Sequence, residues 1–185
     1  MRGSLDFWVF GYGSLMWQPG FPHLDACPAL LRGYHRAFCV YSHHYRGTPE
    51  NPGLVLGLDR GGSCRGLAFR VAAADREQVV DYLNERELVS YAYVAKVLPV
   101  LGPCGRVAAY TFVANPRHRQ YAGDLGIERS AAIIVEAAGC AGLNRDYLIN
   151  TVRRLEREGF SDSRLHKLLK RVEHRTGILE AGGGI

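Results

Sequence analysis

The stretch "FWVFGYGSLMW", residues 7–17, sets the frame for the rest of the chain. Phe7, Trp8, Val9 and Phe10 form an apolar run without polar alternation, the pattern of a strand covered on both faces. Gly11 and Gly13 then permit backbone angles or close approaches that a Cβ would forbid. Two readings are open at this point. The glycines either make an ordinary turn after a buried strand, or form a loop that the strand delivers to a ligand.

Outward from this stretch, strand signals dominate the first two thirds. Residues 5–10 read as a strand, and "ALLRGYHRAFCVYS" (29–42) as another, with Gly33 as a bend or bulge. "HHYRGTPENPG" (43–53) is a loop, since two prolines and two glycines punctuate it. "LVLGLDRGGSCRGLAFRV" (54–71) is expected to be two short strands joined in a hairpin at Asp59-Arg60-Gly61-Gly62. A helix is expected from Asp75 to Leu88, with Asp75 as N-cap and Gln78 completing a capping box. "YAYVAKVLPVL" and "RVAAYTFVA" are strands turned into one another at Gly102-Pro103-Cys104-Gly105. From Leu125 the pattern becomes helical. One helix is expected over 125–138, closed by Gly139–Gly142, a second from Asn144 as N-cap, and a third, basic one after Ser161. Strands first and helices last indicate an α+β protein with a mixed or barrel-like sheet. We expect one domain over 1–178, followed by a disordered tail at 179–185.

A chain of 185 residues with 47% hydrophobic and 22% charged residues matches an ordinary soluble globular protein. The net charge of +5 is spread among mixed signs and reads as a solvated excess. The basic segments "RHR" (117–119), "RRLERE" and "KLLKR" are the only hint of nucleic acid. Glu156, Glu158 and Asp162 interleave them, so no nucleic-acid partner is expected. The five cysteines have neither CxxC nor zinc-finger spacing, which suits thiols in a reducing cytoplasm. No stretch reaches membrane-spanning length, and the first apolar run meets Gly11 and Gly13 in place of a signal cleavage site. A cytoplasmic location is the expectation, with no membrane partner.

Standard motifs for chemistry are missing. "GYGSLM" lacks the third glycine of a dinucleotide fingerprint, and no GK[ST] follows. Ser14 is not flanked as a nucleophile elbow requires, and His43-His44 lack i,i+4 metal spacing. The helix near 75–88 is more telling. At about 100° per residue, Val80, Leu83 and Glu87 share a narrow sector, and Glu85 points nearly opposite. A carboxylate therefore lies on the apolar stripe. It is either a salt-bridged or fraying helix end, or an acid/base whose burial raises its pKa towards neutrality. Arg46, in the loop, is either solvated or a partner for a carboxylate.

Several blocks together resemble the ChaC family of γ-glutamylcyclotransferases. "FWVFGYGSLMW" resembles the family's Tyr-Gly-Ser-Leu loop after its first strand. "YHRAFCVYSHHYRGTPENPG" (34–53) resembles its second block, and "YLNERELVSY" (82–91) the Tyr-Leu-x-x-Arg-Glu block around the catalytic glutamate. "NPRHRQYAG" (115–123) and "GLNRDYL" (142–148) resemble the later blocks, so the likeness covers essentially residues 7–150 in order. Two departures stand out: Glu85 replaces an aromatic residue, and "LVS" replaces a basic-glycine-glycine run. The resemblance implies a small mixed β-barrel with flanking helices and cleavage of glutathione into 5-oxoproline and cysteinylglycine. It implies no metal and no organic cofactor, and glutathione as the small-molecule partner.

The resemblance selects Glu87, the residue found on the apolar stripe, as the catalytic group. It also makes Tyr12, Gly13, Ser14 and Leu15 the loop that holds the γ-glutamyl group, with Arg46 and Tyr147 as further substrate contacts. For Tyr12 and Ser14 the alternative is a side chain turned into the core. For Tyr147 it is a buried tyrosine hydrogen-bonded to backbone. Two rival functions follow from the same residues: a cyclotransferase for other γ-glutamyl amines or amino acids, and a glutathione-binding regulatory protein without catalysis.

Overall fold

In the computed structural model, residues 6–103 and 105–177 are described, and the expected tail at 179–185 lies outside them. The chain divides into two compact units, one of residues 1–36 and 57–119, the other of 37–56 and 120–185. A closed five-stranded barrel is built from β1 (Phe7–Gly11), β2 (Asp25–Ser42), β3 (Gly53–Val71), β4 (Tyr93–Gly102) and β5 (Gly105–Ala114), in the order β1-β3-β2-β4-β5. Barrel and helices together are the mixed α+β architecture expected from the sequence.

β1 explains its own composition. It pairs antiparallel with β3, from Phe7 opposite Val71 to Gly11 opposite Leu67, and parallel with β5 at Trp8–Ala109 and Val9–Tyr110. Its successive side chains point to opposite faces. Phe10 enters one cluster with Leu31, Leu58, Ala68, Val100 and Ala109. Val9 enters a second with Phe69, Val71, Phe112 and the helix residues Val79 and Leu83. Both faces are buried, so nothing in the run needs to be polar. Gly66 sits where a Cβ would run into the Gly11 carbonyl, which lets β1 and β3 approach closely.

α1 (Arg76–Glu87) lies in this first unit and buries Val79 and Leu83, each contributing roughly 1.5–3 kcal/mol by removal from water. Two expectations are corrected here. Asp75 does not cap α1 with its side chain, because it already has helical angles at the end of a 3-10 turn (Ala73–Asp75) and its N–H bonds the Ala72 carbonyl. Nor is 54–71 a hairpin. It is one continuous strand in which Gly61 (φ +97°) and Gly62 (φ +67°) bend the chain without reversing it. Positive-φ glycines serve a bend and a reversal equally well, so the residues could not separate the two. The β4–β5 hairpin does form, with Gly102 opposite Gly105.

The second unit holds α2 (Gly126–Glu136), the two-residue strands β6 (Ala138–Gly139) and β7 (Gly142–Leu143), α3 (Asn144–Arg157) and α4 (Ser163–Thr176). Asp162 caps α4 through hydrogen bonds from the Arg164 and Leu165 N–H groups, and Gly177 ends it in the left-handed conformation (φ 67°). Asn144 is not the N-cap of α3, another correction: Leu143 holds that position. The fully buried Asn144 side chain instead accepts from the Leu54 N–H at 2.8 Å and donates to the Leu54 carbonyl at 2.8 Å. No helix among the described residues is long and apolar enough to cross a membrane.

Candidate active site

The loop after β1 is a 3-10 turn over Ser14–Met16. Its hydrogen bonds begin with Met16 N–H to the Gly13 carbonyl at 2.9 Å, so the turn itself leaves the N–H groups of Ser14 and Leu15 without a partner one turn back. Gly11 is required by packing: a Cβ there would stand 3.1 Å from Leu15 Cβ and 3.3 Å from the Phe69 ring. Arg36, only 2% exposed, donates from Nε to the Tyr12 carbonyl at 2.5 Å and from Nη2 to the Arg65 carbonyl. A trans peptide holds its C=O and N–H in opposite directions. Arg36 therefore turns the Gly13 N–H away from itself.

The four loop residues differ in what they offer. Tyr12 packs against the cluster around Phe10, and Leu15 is buried with Val9 and Phe69, so Leu15 presents only its main chain. Ser14 is exposed, and its Oγ accepts a hydrogen bond from Arg86 Nη2 at 2.8 Å.

Glu87 is the last residue of α1, one turn beyond Leu83 and two beyond Val79, on the face that enters the core. Its side chain is 21% exposed and its ion pair is with Arg86 Nε at 3.4 Å. Burial pushes the Glu87 carboxyl above the usual carboxylate range, and the Arg86 guanidinium opposes that rise without cancelling it. The position adds to the effect, since the C-terminal end of a helix disfavours an anion. Glu85 is exposed, as its place on the wheel requires.

Sequence reasoning passed over Arg86, although it stands inside the Tyr-Leu-x-x-Arg-Glu block. Besides Ser14 and Glu87 it reaches the Gln18 carbonyl at 2.7 Å, the Pro19 carbonyl at 3.4 Å and the Tyr82 hydroxyl at 3.1 Å. Its place directly before the candidate acid was the available signal. Its partners Ser14, Gln18 and Pro19 lie about seventy residues back in the chain and were not legible.

Arg46 and Tyr147 belong to the second unit and meet there. The Arg46 guanidinium lies 5.4 Å from the Tyr147 ring centroid and donates to the Leu143 carbonyl at 3.2 Å. Tyr147 packs edge-on to Phe38, and its hydroxyl accepts from the Leu56 N–H at 3.4 Å. Each therefore has an architectural use inside its own unit. Gly53 fits the same cluster, because a Cβ there would strike the Arg46 carbonyl.

The sequence matches the family described as ChaC-like protein over residues 7–175. The chain belongs to the ChaC-like family. A glutathione-specific γ-glutamylcyclotransferase of Escherichia coli (strain K12) is 36% identical over 167 residues, covering 90% of this chain and 72% of the relative. A γ-glutamylcyclotransferase 2-3 of Arabidopsis thaliana is 33% identical, with 92% and 90% covered. Among solved structures, a γ-glutamylcyclotransferase specific to glutathione from yeast superposes with a TM-score of 0.79 at 21% identity, covering 91% of this chain and 96% of that one. This likeness bears on the fold, and the ChaC-like chain shares that fold.

Proposed function

We propose that this ChaC-like protein is a γ-glutamylcyclotransferase that converts glutathione to 5-oxoproline and cysteinylglycine. The observation that carries the reading is the half-buried Glu87 carboxyl, raised in pKa at the end of α1 and tied through Arg86 to the glycine loop. The name of the Escherichia coli relative supports the choice of substrate.

The reaction is internal to the γ-glutamyl group. Its α-amine attacks its own γ-carbonyl, a C–N bond forms in a five-membered lactam, and the amide bond to cysteine breaks. Folding the chain in the site removes much of the entropic barrier. The amine arrives as ammonium and must first lose a proton. Glu87 takes that proton as general base and returns it, as general acid, to the departing nitrogen; the attacking nitrogen sheds a second proton as the lactam forms, and the released amine carries it away as its ammonium, so no water is consumed. A carboxyl raised above its ordinary range is the better proton acceptor for this exchange. In this reading the main-chain N–H groups of Gly13, Ser14 and Leu15 receive the oxyanion or the α-carboxylate, and the Ser14 hydroxyl adds a donor. Tyr12 lines the loop. Arg46 and Tyr147 enter as substrate contacts only through the resemblance of their sequence blocks, since both are also used inside their own unit. No metal or organic cofactor takes part in the scheme. A cytoplasmic location belongs to the reading as well, which five scattered cysteines without CxxC spacing suit.

The test is 5-oxoproline release from glutathione by wild type and Glu87→Gln. Wild type should turn over, and Glu87→Gln should bind glutathione but lose about 100-fold or more in kcat, the scale of acid–base catalysis. An active Gln variant would refute the role of Glu87, and binding without release by wild type would point to a regulatory binder. The Arabidopsis relative's name leaves the leaving group open. Running γ-glutamyl-alanine alongside separates a glutathione enzyme from a broader one.

A further inference from the structure

Arg86 has no step in the scheme above, yet its guanidinium has contacts on all three nitrogens. Nε faces the Glu87 carboxylate, Nη1 donates to the Gln18 carbonyl, and Nη2 donates to Ser14 Oγ. The residue is 23% exposed, so solvent competes only partly for these donors. Tyr82, one turn earlier on α1, places its hydroxyl 3.1 Å from Nη1 and fixes the fork from the other side. Tyr82 is in turn backed by Gly20, where a Cβ would run into that hydroxyl.

We infer that Arg86 is the positioning residue of the proposed reaction, locking the Ser14 loop to the Glu87 carboxylate and setting Ser14 as a hydrogen-bond donor. The inference rests on the cyclotransferase reading. A serine hydroxyl has one proton and two lone pairs. Once a lone pair is filled by Arg86, which can only donate, the Ser14 proton is directed elsewhere and is available to an acceptor on the substrate. The same cation lies against Glu87 and holds down part of the pKa rise that burial causes. One planar group thus fixes the donor, the base and the spacing between them. Lysine would keep the charge but not the fork, so it cannot serve Ser14, Gln18 and Glu87 together.

These two effects separate experimentally. Arg86→Met should raise KM for glutathione roughly 10- to 100-fold, the range for losing a hydrogen bond to a charged group. It should also move the acid limb of kcat/KM to higher pH, because removing the cation raises the Glu87 pKa and the base ionises later. The other ionisable groups tied to α1 at this end, Tyr82 and Tyr110 (through Asn84), are phenols, and burial raises the Tyr110 pKa further. Arg86→Lys should return the limb towards wild type while KM stays high. Ser14→Ala should raise KM with the limb unmoved, and Arg86→Met should raise KM no further in the Ser14→Ala background. An unshifted limb in Arg86→Met, additive KM effects with Ser14→Ala, or an Arg86→Lys enzyme equal to wild type would each overturn the inference. If Arg86→Met does not fold, the split between KM and pH profile in Arg86→Lys decides alone. A wild type that releases no 5-oxoproline defeats the cyclotransferase reading itself, a distinct result.

Discussion

Asn144 offers a sharp test of how the second unit is held together. Its side chain is fully buried and forms a two-way amide pair with the Leu54 main chain, both distances 2.8 Å. Asn144→Ala removes both of these hydrogen bonds from Leu54 at a fully buried position. At about 1–3 kcal/mol per orphaned group, the loss is roughly 2–6 kcal/mol at any pH. Asn144→Asp is more discriminating because its volume hardly changes. A protonated Asp copies the amide, donating O–H to the Leu54 carbonyl and accepting from its N–H. An ionised Asp sets an anion against that carbonyl oxygen, so its folded-state pKa must lie above the unfolded value of about 3.9. Between those two values the native state holds a proton that the unfolded state has released. Stability therefore falls as pH rises, by at most about 1.4 kcal/mol per pH unit. The N-terminus of α3 favours an anion by only about 0.3–1 kcal/mol, too little to reverse the sign. Urea unfolding followed by circular dichroism should find Asn144→Asp close to wild type near pH 4. By pH 7 it should be about 2–4 kcal/mol less stable. A wild-type-minus-variant difference that stays flat between these pH values, or an Ala variant costing under about 1 kcal/mol, refutes the reasoning.

Gly20 and His166 give two further outcomes. Gly20 has φ +71° and faces the Tyr82 hydroxyl, so Gly20→Ala should combine backbone strain of about 1–2 kcal/mol with a clash. Gly159→Ala, at φ +80° in open space, carries the strain alone, and thermal melts should rank Gly20→Ala clearly lower. His166 has both ring nitrogens on acceptors, the Asp162 carbonyl at 2.8 Å and Glu156 Oε1 at 2.6 Å, an arrangement that suits the imidazolium. Its pKa is raised, first by the Asp162 carbonyl and then by Glu156. That contribution is complete below the unfolded pKa of about 6.5 and is lost as pH climbs through the folded value. Melting curves from pH 5.5 to 8.5 should show wild type losing stability relative to His166→Gln, and parallel curves would refute the linkage.

Much of this protein was legible before any coordinates. The doubly buried β1, the β4–β5 hairpin, α1 and the helical last third all follow from apolar periodicity and turn chemistry, which depend on near neighbours. Glu87 was visible as a carboxylate on an apolar stripe for the same reason. The misread elements share another property. Asp75 and Asn144 are good capping residues by type, but each found a different use, Asp75 inside a 3-10 turn and Asn144 against Leu54. Asp59-Arg60-Gly61-Gly62 has hairpin residues, yet the chain runs on as one strand.

The sequence by itself determined most of the strands and helices, and which carboxylate departs from its helix's pattern. These are matters of local sterics and of one side chain against the next turn. Only the tertiary structure decided what the polar atoms bond to. Arg86 joins Ser14, Gln18 and Glu87, and Arg36 pins the Tyr12 carbonyl, across separations that no local pattern encodes. A buried donor must find an acceptor wherever packing brings one, and packing is a property of the whole chain.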